Sequence, residues 1–287
     1  MPEPQTALPF EWLRYPWGPA LRCVPLASVA DHCFTTRRPV LPAGPGVPGD
    51  GWQSLALALG VPRASLVRLK QLHGRDILEV RRGSNDHAGS PEDGNWAAAD
   101  ASVSDDSSIA LCVKVADCVP LLMADRRTGA VAVVHAGWRG AAAGIVAEAV
   151  GRMASRFSAR PADLVAAVGP SIGPCCYRVG GELRDEFVTR GHAHEDVSRW
   201  LTLQPTRPAE QGVPGVIPVS ANGEPPLWLD MWLVVADQLA KAGLDAGHIH
   251  VARLCTSCHR ETFHSFRVDG PRAGRMVGII KAVGARR

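Results

Sequence analysis

The chain has 287 residues, 46% of them hydrophobic and 21% charged, with a formal net charge of +3. These totals fit a soluble globular protein able to bury a sizeable core. The charge is too small to point to nucleic acid or a membrane surface, and no apolar run approaches the ~20 residues of a membrane span.

The N-terminus, MPEPQTALPFEWLRYPWGP, lacks the basic and apolar regions of a secretory signal. The expected location is therefore cytoplasmic, with the eight cysteines present as reduced thiols. Residues 1–31 are rich in Pro and Trp with little periodicity, and read as an irregular segment with a strand or two packed on the body. Residues 32–287 show no repeat and no dividing linker, and read as one domain. His32–Arg38 is expected to be a short strand leading into a Pro- and Gly-rich loop. Trp52–Leu59 reads as a helix stopped by Gly60 and Pro62. Ser65–Gln71 and Ile77–Val80 read as strands on either side of Leu72-His73-Gly74, and Arg81–Asn95 as an exposed loop. Ala97–Val103 and Ile109–Val115 follow as further strands.

The richest pattern lies in Leu111–Ala149. Two apolar runs, Val119–Ala124 and Ala130–Val134, flank the polar segment Asp125–Gly129, which is a β-hairpin signal. Centring the turn near Arg127 brings Cys118 and His135 to the same open end, where cross-strand Cβ atoms lie roughly 4.5–5.5 Å apart. A thiolate and an imidazole meeting there suit a transition metal or a nucleophile with its base. A buried Cys beside a hydrogen-bonded His is the plainer structural alternative. Beyond His135, AGWRG leads into a helical pattern carrying Ile145, Val146, Ala149, Val150 and Met153. Gly137 and Gly140 there permit close backbone approach, and Arg139 offers a forked cation to an anion at the helix start; a simple connecting turn with a solvated Arg139 is the equal alternative.

Leu164–Val168 reads as a strand ending in the stiff loop GPSIGPCCYRVG. The adjacent Cys175 and Cys176 are not expected to serve one metal centre. Cys255 and Cys258 form a CxxC with no second CxxC to complete a zinc clip, so all four read as structural thiols. Gly181–Arg190 is helix-like. Trp228–Ala242 is an amphipathic helix with Leu229, Trp232, Leu233, Ala236, Leu239 and Ala240 on one face. His248–Leu254 reads as a strand, and Thr262–Val283 as a hairpin around DGPRAG, where Arg267, Arg272 and Arg275 cluster. The whole is expected to be a single α+β domain with a large mixed β-sheet or sandwich core flanked by helices.

Five motifs occur in order: QLHG (Gln71–Gly74), ADCVPLL (Ala116–Leu122), HAGWRG (His135–Gly140), GPSIGPCCYRVG (Gly169–Gly180), and FHSFRVDG (Phe263–Gly270) with Gly274-Arg275 behind it. Over roughly residues 30–280 they resemble the bacterial YfiH-like family, the laccase-domain or polyphenol oxidase proteins described as purine nucleoside phosphorylases. The resemblance implies a zinc site with His73, Cys118 and His135 as ligands, copper being the other candidate metal. Three protein ligands leave an open position; Cys112 or His87 would close it. The resemblance further implies phosphorolysis of adenosine, inosine, guanosine and methylthioadenosine, with adenosine deamination as a side activity. The partners are then purine nucleosides and phosphate, not nucleic acid or a membrane. Deamination calls for metal-activated water, whose pKa zinc can bring to about 7. The catalytic candidates are His73, Cys118, His135 and the neighbouring Asp117; the substrate and phosphate contacts are Arg37, Arg139, Ser171 and Arg267. Arg37 matches the family's Thr-Arg motif, although RPVLPAGPG replaces the Gly-rich run that follows it there. Two alternatives stand beside this reading: a Cys118/His135 hydrolase without metal, and a copper-dependent polyphenol oxidase. A multicopper oxidase requires a Cys flanked by His besides several HxH pairs. The chain has HAH at His192–His194 and HIH at His248–His250 but no HCH.

Overall fold

The computed structural model describes residues 3–41, 51–81, 96–206 and 225–283. The chain opens with the hairpin β1 (Phe10–Tyr15) and β2 (Gly18–Cys23), one turn of helix α1 (Val24–Ala27), and β3 (Ala30–Thr35). There follow α2 (Gly51–Ala58), β4 (Leu66–Val67), β5 (Ile77–Val80), β6 (Ala101–Ser104) and β7 (Ala110–Val115). The central hairpin is β8 (Val119–Asp125) and β9 (Val131–Ala136), with α3 (Trp138–Ala142), α4 (Ile145–Phe157) and β10 (Leu164–Val168) behind it. The remainder comprises β11 (Arg178–Val179), α5 (Glu182–Thr189), α6 (His194–Trp200), β12 (Leu201–Thr202), β13 (Leu227–Leu229), α7 (Met231–Lys241), β14 (Ile249–Val251), α8 (Phe266–Asp269) and β15 (Met276–Ala282). None of these helices is long and apolar enough to cross a membrane.

The strands form two six-stranded mixed sheets, ordered β1-β2-β3-β15-β7-β4 and β14-β10-β8-β9-β6-β5, and a small third sheet, β11-β13-β12. Successive side chains of a strand leave on opposite faces, and here each face finds an apolar partner. In β8, Leu122 and Ala124 point between the large sheets, where they join Val131, Val133 and Val165 and meet Phe34, Leu111, Val113 and Ile280 of the first sheet. Leu121 and Met123 leave on the other face and pack under α4 and α7. The outer face of the first sheet, with Cys33, Cys112, Val277 and Ile279, is covered by Trp52, Leu55 and Ala56 of α2. The result is a sandwich of helix, sheet, sheet and helix. The α4 stripe expected from spacing is the buried one: Ile145, Val146, Ala149, Val150 and Met153.

The central hairpin forms with Val119 opposite Ala136 and Pro120 opposite His135. Asp125 holds the turn, its Oδ1 accepting the N–H groups of Arg127 and Thr128 at 2.6 and 3.0 Å. His135 thus faces Pro120 directly, and Cys118 lies one step beyond the strand on the same face. Two expectations need correction. The Trp228–Ala242 helix begins only at Met231, because Asp230 accepts the Leu233 N–H as its cap and Trp228 and Leu229 enter β13; Ala240 is exposed. The carboxy-terminal hairpin does not form. Both edges of β15 are taken, by β3 and by β7, so no edge remains for residues 263–267, which instead turn into α8.

The two sheets and the loop after β10 meet tightly at Gly169, where an added Cβ would stand 2.4 Å from two ring carbons of Phe34 and 2.9 Å from Pro120 Cγ. Gly169→Ala is expected to lower the unfolding free energy by about 1–3 kcal/mol. Combined with Phe34→Leu, which removes the obstructing ring, the loss should be smaller than the sum of the two single losses. Urea denaturation of all four proteins measures this, and strict additivity would contradict the packing described.

Candidate metal centre

One buried carboxylate organises the open end of the sandwich. Asp100 lies just before β6, and the antiparallel register of β6 with β9 (Ala101 opposite Val134) sets it across from His135. The His135 N–H donates to the Asp100 carbonyl at 2.7 Å, and the ring Nδ1 lies 2.8 Å from Asp100 Oδ1. The same carboxylate accepts the N–H groups of Leu72, His73 and Gly74 at 3.0, 2.9 and 2.7 Å. Those three bonds hold the QLHG segment as it passes, with His73 in the left-handed region at φ 60°, a conformation that costs a non-glycine residue and needs such support.

The structure brings His73, Cys118 and His135 together, their donor atoms all within 4.8 Å of one another. Cys118 Sγ stands 3.9 Å from His73 Nε2. With Nδ1 of His135 committed to Asp100, Nε2 is the atom left for a ligand. A tetrahedral ion about 2.3 Å from sulfur and about 2.0 Å from nitrogen sets such donors roughly 3.6 Å apart, so the separations fit a metal. The carboxylate–histidine contact is the support that metal-ligating imidazoles commonly have. The strand continues from His135 through Gly137, where a Cβ would come within 2.9 Å of His73 Cδ2 and 3.2 Å of Cys118 Sγ. Only glycine lets the backbone run this close to the donors.

Charge in the cluster is strongly displaced. Burial pushes the Cys118 thiol up, but His135 and His73 beside it outweigh burial and bring it down to about 6. Burial likewise disfavours the charged His135, yet the Cys118 thiolate and the hydrogen bond to Asp100 raise it to about 9. Burial works against the charged form of Asp100 too, but hydrogen bonds from His135 and Gly74 keep its carboxyl below the usual range. Without metal both shifts favour a thiolate beside an imidazolium.

Two adjoining cavities meet at the cluster. One, of about 390 Å³, is lined by His73, Cys118 and His135 together with Lys70, Trp96, Lys114 and Arg275. The other, of about 240 Å³, shares Phe266 with the first and adds Trp138, Arg139, Tyr177 and Arg267. Arg139 lies over the Trp138 ring and Arg267 over that of Tyr177, at 4.4 and 5.1 Å from the centroids. Asp117 also lines the second cavity, but its carboxylate accepts Thr256 Oγ1, Ser265 Oγ and the Arg267 N–H at 2.6, 3.1 and 2.6 Å.

Other sequence candidates lie elsewhere. Arg37 lines neither cavity; its Nε donates to the carbonyls of Arg260 and Phe263 and its guanidinium pairs with Asp269. Ser171 is buried, its Oγ accepting Trp232 Nε1 at 2.7 Å. Cys112 is buried under α2, where burial pushes its thiol up, and it is not in the cluster; His87 falls outside the described residues. Asp100 escaped the sequence reading, since nothing local in AAADASVS reveals a partner thirty-odd residues on. Lys114 and Tyr177 escaped it as well. The four cysteines read as separate structural thiols in fact gather, with sulfurs within 4.8 Å of one another: the loop after β10 turns at Gly173 and the 255–258 turn packs against it.

A family described as multi-copper polyphenol oxidoreductase laccase matches residues 50–283. The chain is 33% identical over 228 residues to a purine nucleoside phosphorylase, YlmD, of Geobacillus stearothermophilus, covering 79% of this chain and 75% of that one. It is 30% identical over 233 residues to an adenosine deaminase, RL5, from an unknown prokaryotic organism, covering 81% of each. The crystal structure of the hypothetical protein YfiH of Bacillus licheniformis matches with a TM-score of 0.77 at 27% identity, over 96% of this chain and 100% of that one.

Asp100→Asn keeps the side-chain volume but places an amide where His135 and three backbone N–H groups need acceptors. It is expected to weaken binding of added Zn²⁺ about ten- to a hundredfold, with the far-UV circular dichroism unchanged. Since the ligands must be a thiolate and neutral imidazoles, affinity should rise with pH up to about 9, as His135 gives up its proton, and collapse below about 6, as Cys118 gains one. A pH titration of zinc affinity in the wild-type protein and the variant measures both effects. Equal affinities would contradict the orienting role.

Proposed function

The chain belongs to the multi-copper polyphenol oxidoreductase laccase family, and from that membership we propose that it is a zinc-dependent purine nucleoside phosphorylase with adenosine deaminase activity. The observation that carries the proposal is the seat of the His73–Cys118–His135 cluster between two cavities whose charged side chains are almost all cationic. Lys70, Lys114 and Arg275 stand on one side and Arg139 and Arg267 on the other. Among the described residues the one carboxylate in the lining, Asp117, is turned to Thr256, Ser265 and Arg267. Such a lining favours an anion, as phosphorolysis requires.

Phosphorolysis exchanges the C1′–N bond of the nucleoside for a C1′–O bond to phosphate, through a ribose that carries oxocarbenium-like positive charge. Arg139 and Arg267 would hold the phosphate through guanidinium N–H groups, Arg267 keeping its Nη1 on the Arg178 carbonyl at 2.7 Å, with Tyr177, Trp138 and Phe266 forming the apolar wall a purine needs. His73, Cys118 and His135 would hold the metal, oriented by Asp100. When bound, the metal supplies a Lewis acid with an open position, which suits the activation of water for deamination. Adenosine, inosine, guanosine and methylthioadenosine are the proposed nucleosides. Oxidase chemistry is less well supported: among the described residues only one potential metal group contains histidine, whereas a multicopper oxidase gathers several.

One observation favours a second reading. The low-lying Cys118 thiol, the raised His135 and the Asp100 behind it have the order of a cysteine-nucleophile triad. His73 Nε2 at 3.9 Å from the sulfur is a third donor that a nucleophile does not need, and it favours the metal.

Zinc-loaded protein is expected to release hypoxanthine from inosine only when phosphate is present. Cys118→Ala should reduce that rate to background while leaving thermal unfolding cooperative, and a chelator should remove metal and activity together, with zinc restoring both. Phosphate-independent release, or activity that survives complete metal removal, would overturn the proposal, the latter in favour of the cysteine hydrolase.

A further inference from the structure

We propose that Cys175, Cys176, Cys255 and Cys258 form a second metal site, a closed tetrathiolate that binds Zn²⁺ and clamps two loops of the molecule together. Their sulfurs lie within 4.8 Å of one another, and Cys258 Sγ is 3.5 Å from the sulfurs of both Cys175 and Cys176. A tetrahedral zinc with four sulfurs at about 2.3 Å sets them about 3.8 Å apart, so the cluster has the size of a filled site. All four cysteines are unpaired. Cys175 and Cys255 are buried, and Cys176 and Cys258 lie at the rim.

The backbone is shaped for this. The N–H groups of Cys176 and Tyr177 both donate to the Gly173 carbonyl at 2.9 Å, a tight turn that presents two consecutive thiols to one point. The opposite ligand pair lies on a turn closed by the His259 N–H on the Cys255 carbonyl at 3.1 Å. The Gly173 N–H donates to Cys255 Sγ at 3.3 Å, a bond that favours the thiolate, the form in which cysteine ligates. The two segments are already stitched by Ser171 N–H on the Leu254 carbonyl and Thr256 N–H on the Ser171 carbonyl, at 3.2 and 3.1 Å.

Four protein ligands leave no open position, so the site is structural. Binding displaces the thiol protons to solvent and changes no oxidation state. The clamp acts on the neighbourhood of Cys118, because both segments it joins hold Asp117: Ile172 N–H donates to the Asp117 carbonyl at 2.9 Å and Thr256 Oγ1 to its carboxylate at 2.6 Å. It uses none of His73, Cys118 and His135, and stands or falls apart from the phosphorylase proposal.

The test uses the full chain in four forms: wild type, Cys118→Ala, Cys258→Ser, and the double variant. Protein purified with zinc should lose about one equivalent in each single variant and all of it in the double. Loading Cys118→Ala with Co²⁺ should give the intense charge-transfer and visible bands of tetrahedral cobalt thiolate, absent from the double variant. Thiol titration of unfolded, chelator-treated wild type should find all eight cysteines reduced. Equal zinc in wild type and Cys258→Ser, missing thiols that reveal disulfides, or a Cys118→Ala protein without the cobalt bands would each overturn the proposal. The last measurement leaves the cluster intact and holds even if Cys258→Ser fails to fold.

Discussion

The Asp100 carboxylate is the constraint on which the candidate metal centre depends. It receives the ring of His135 on one oxygen and shares the backbone of Leu72, His73 and Gly74 between both. Two donors from distant segments are thereby fixed by a single buried side chain. Left unpaired in that place the charge would be costly; with four donors it is satisfied and rigid. His73 can then occupy a left-handed conformation, and His135 is left with one defined nitrogen facing the cluster.

The sandwich explains why this end of the molecule is available. β8 and β9 sit in the middle of the second sheet and pack on both faces, so their ends are held stiffly by the apolar layers on either side. His135 continues the inward-facing row of Val131 and Val133, and becomes polar where the interior meets the cavities. Rigid strands carrying donors at their ends give a site little freedom to rearrange, while the short helices α3 and α8 supply Arg139 and Arg267 and the loop before β11 supplies Tyr177.

Much of this could be read from local pattern, and the failures share one cause. The hairpin turn, the α4 stripe and the approach of Cys118 to His135 rest on periodicity and on a turn of a few residues, where sequence distance and spatial distance agree. The pairing of β6 with β9, which sets Asp100 against His135, joins segments some thirty residues apart and has no local signature. The carboxy-terminal hairpin failed because β15 spends both edges on β3 and β7, a competition between distant strands. The adjacent Cys175 and Cys176 argued locally against a shared centre, yet the turn at Gly173 directs both toward Cys258, which lies 83 residues along the chain from Cys175. Arg37 and Ser171 carry the residue types a phosphate site needs, but in the fold Arg37 is engaged by backbone carbonyls and Asp269, and Ser171 by Trp232.

The central claim is that His73, Cys118 and His135 share one metal ion with an open side toward the cavities. Anomalous diffraction at the zinc edge from crystals of the zinc-loaded protein tests it most directly. A peak is expected between His73 Nε2, Cys118 Sγ and His135 Nε2, with the fourth position facing the cavity lined by Lys114 and Arg275. No peak there, or a fourth protein ligand closing the site, would contradict it.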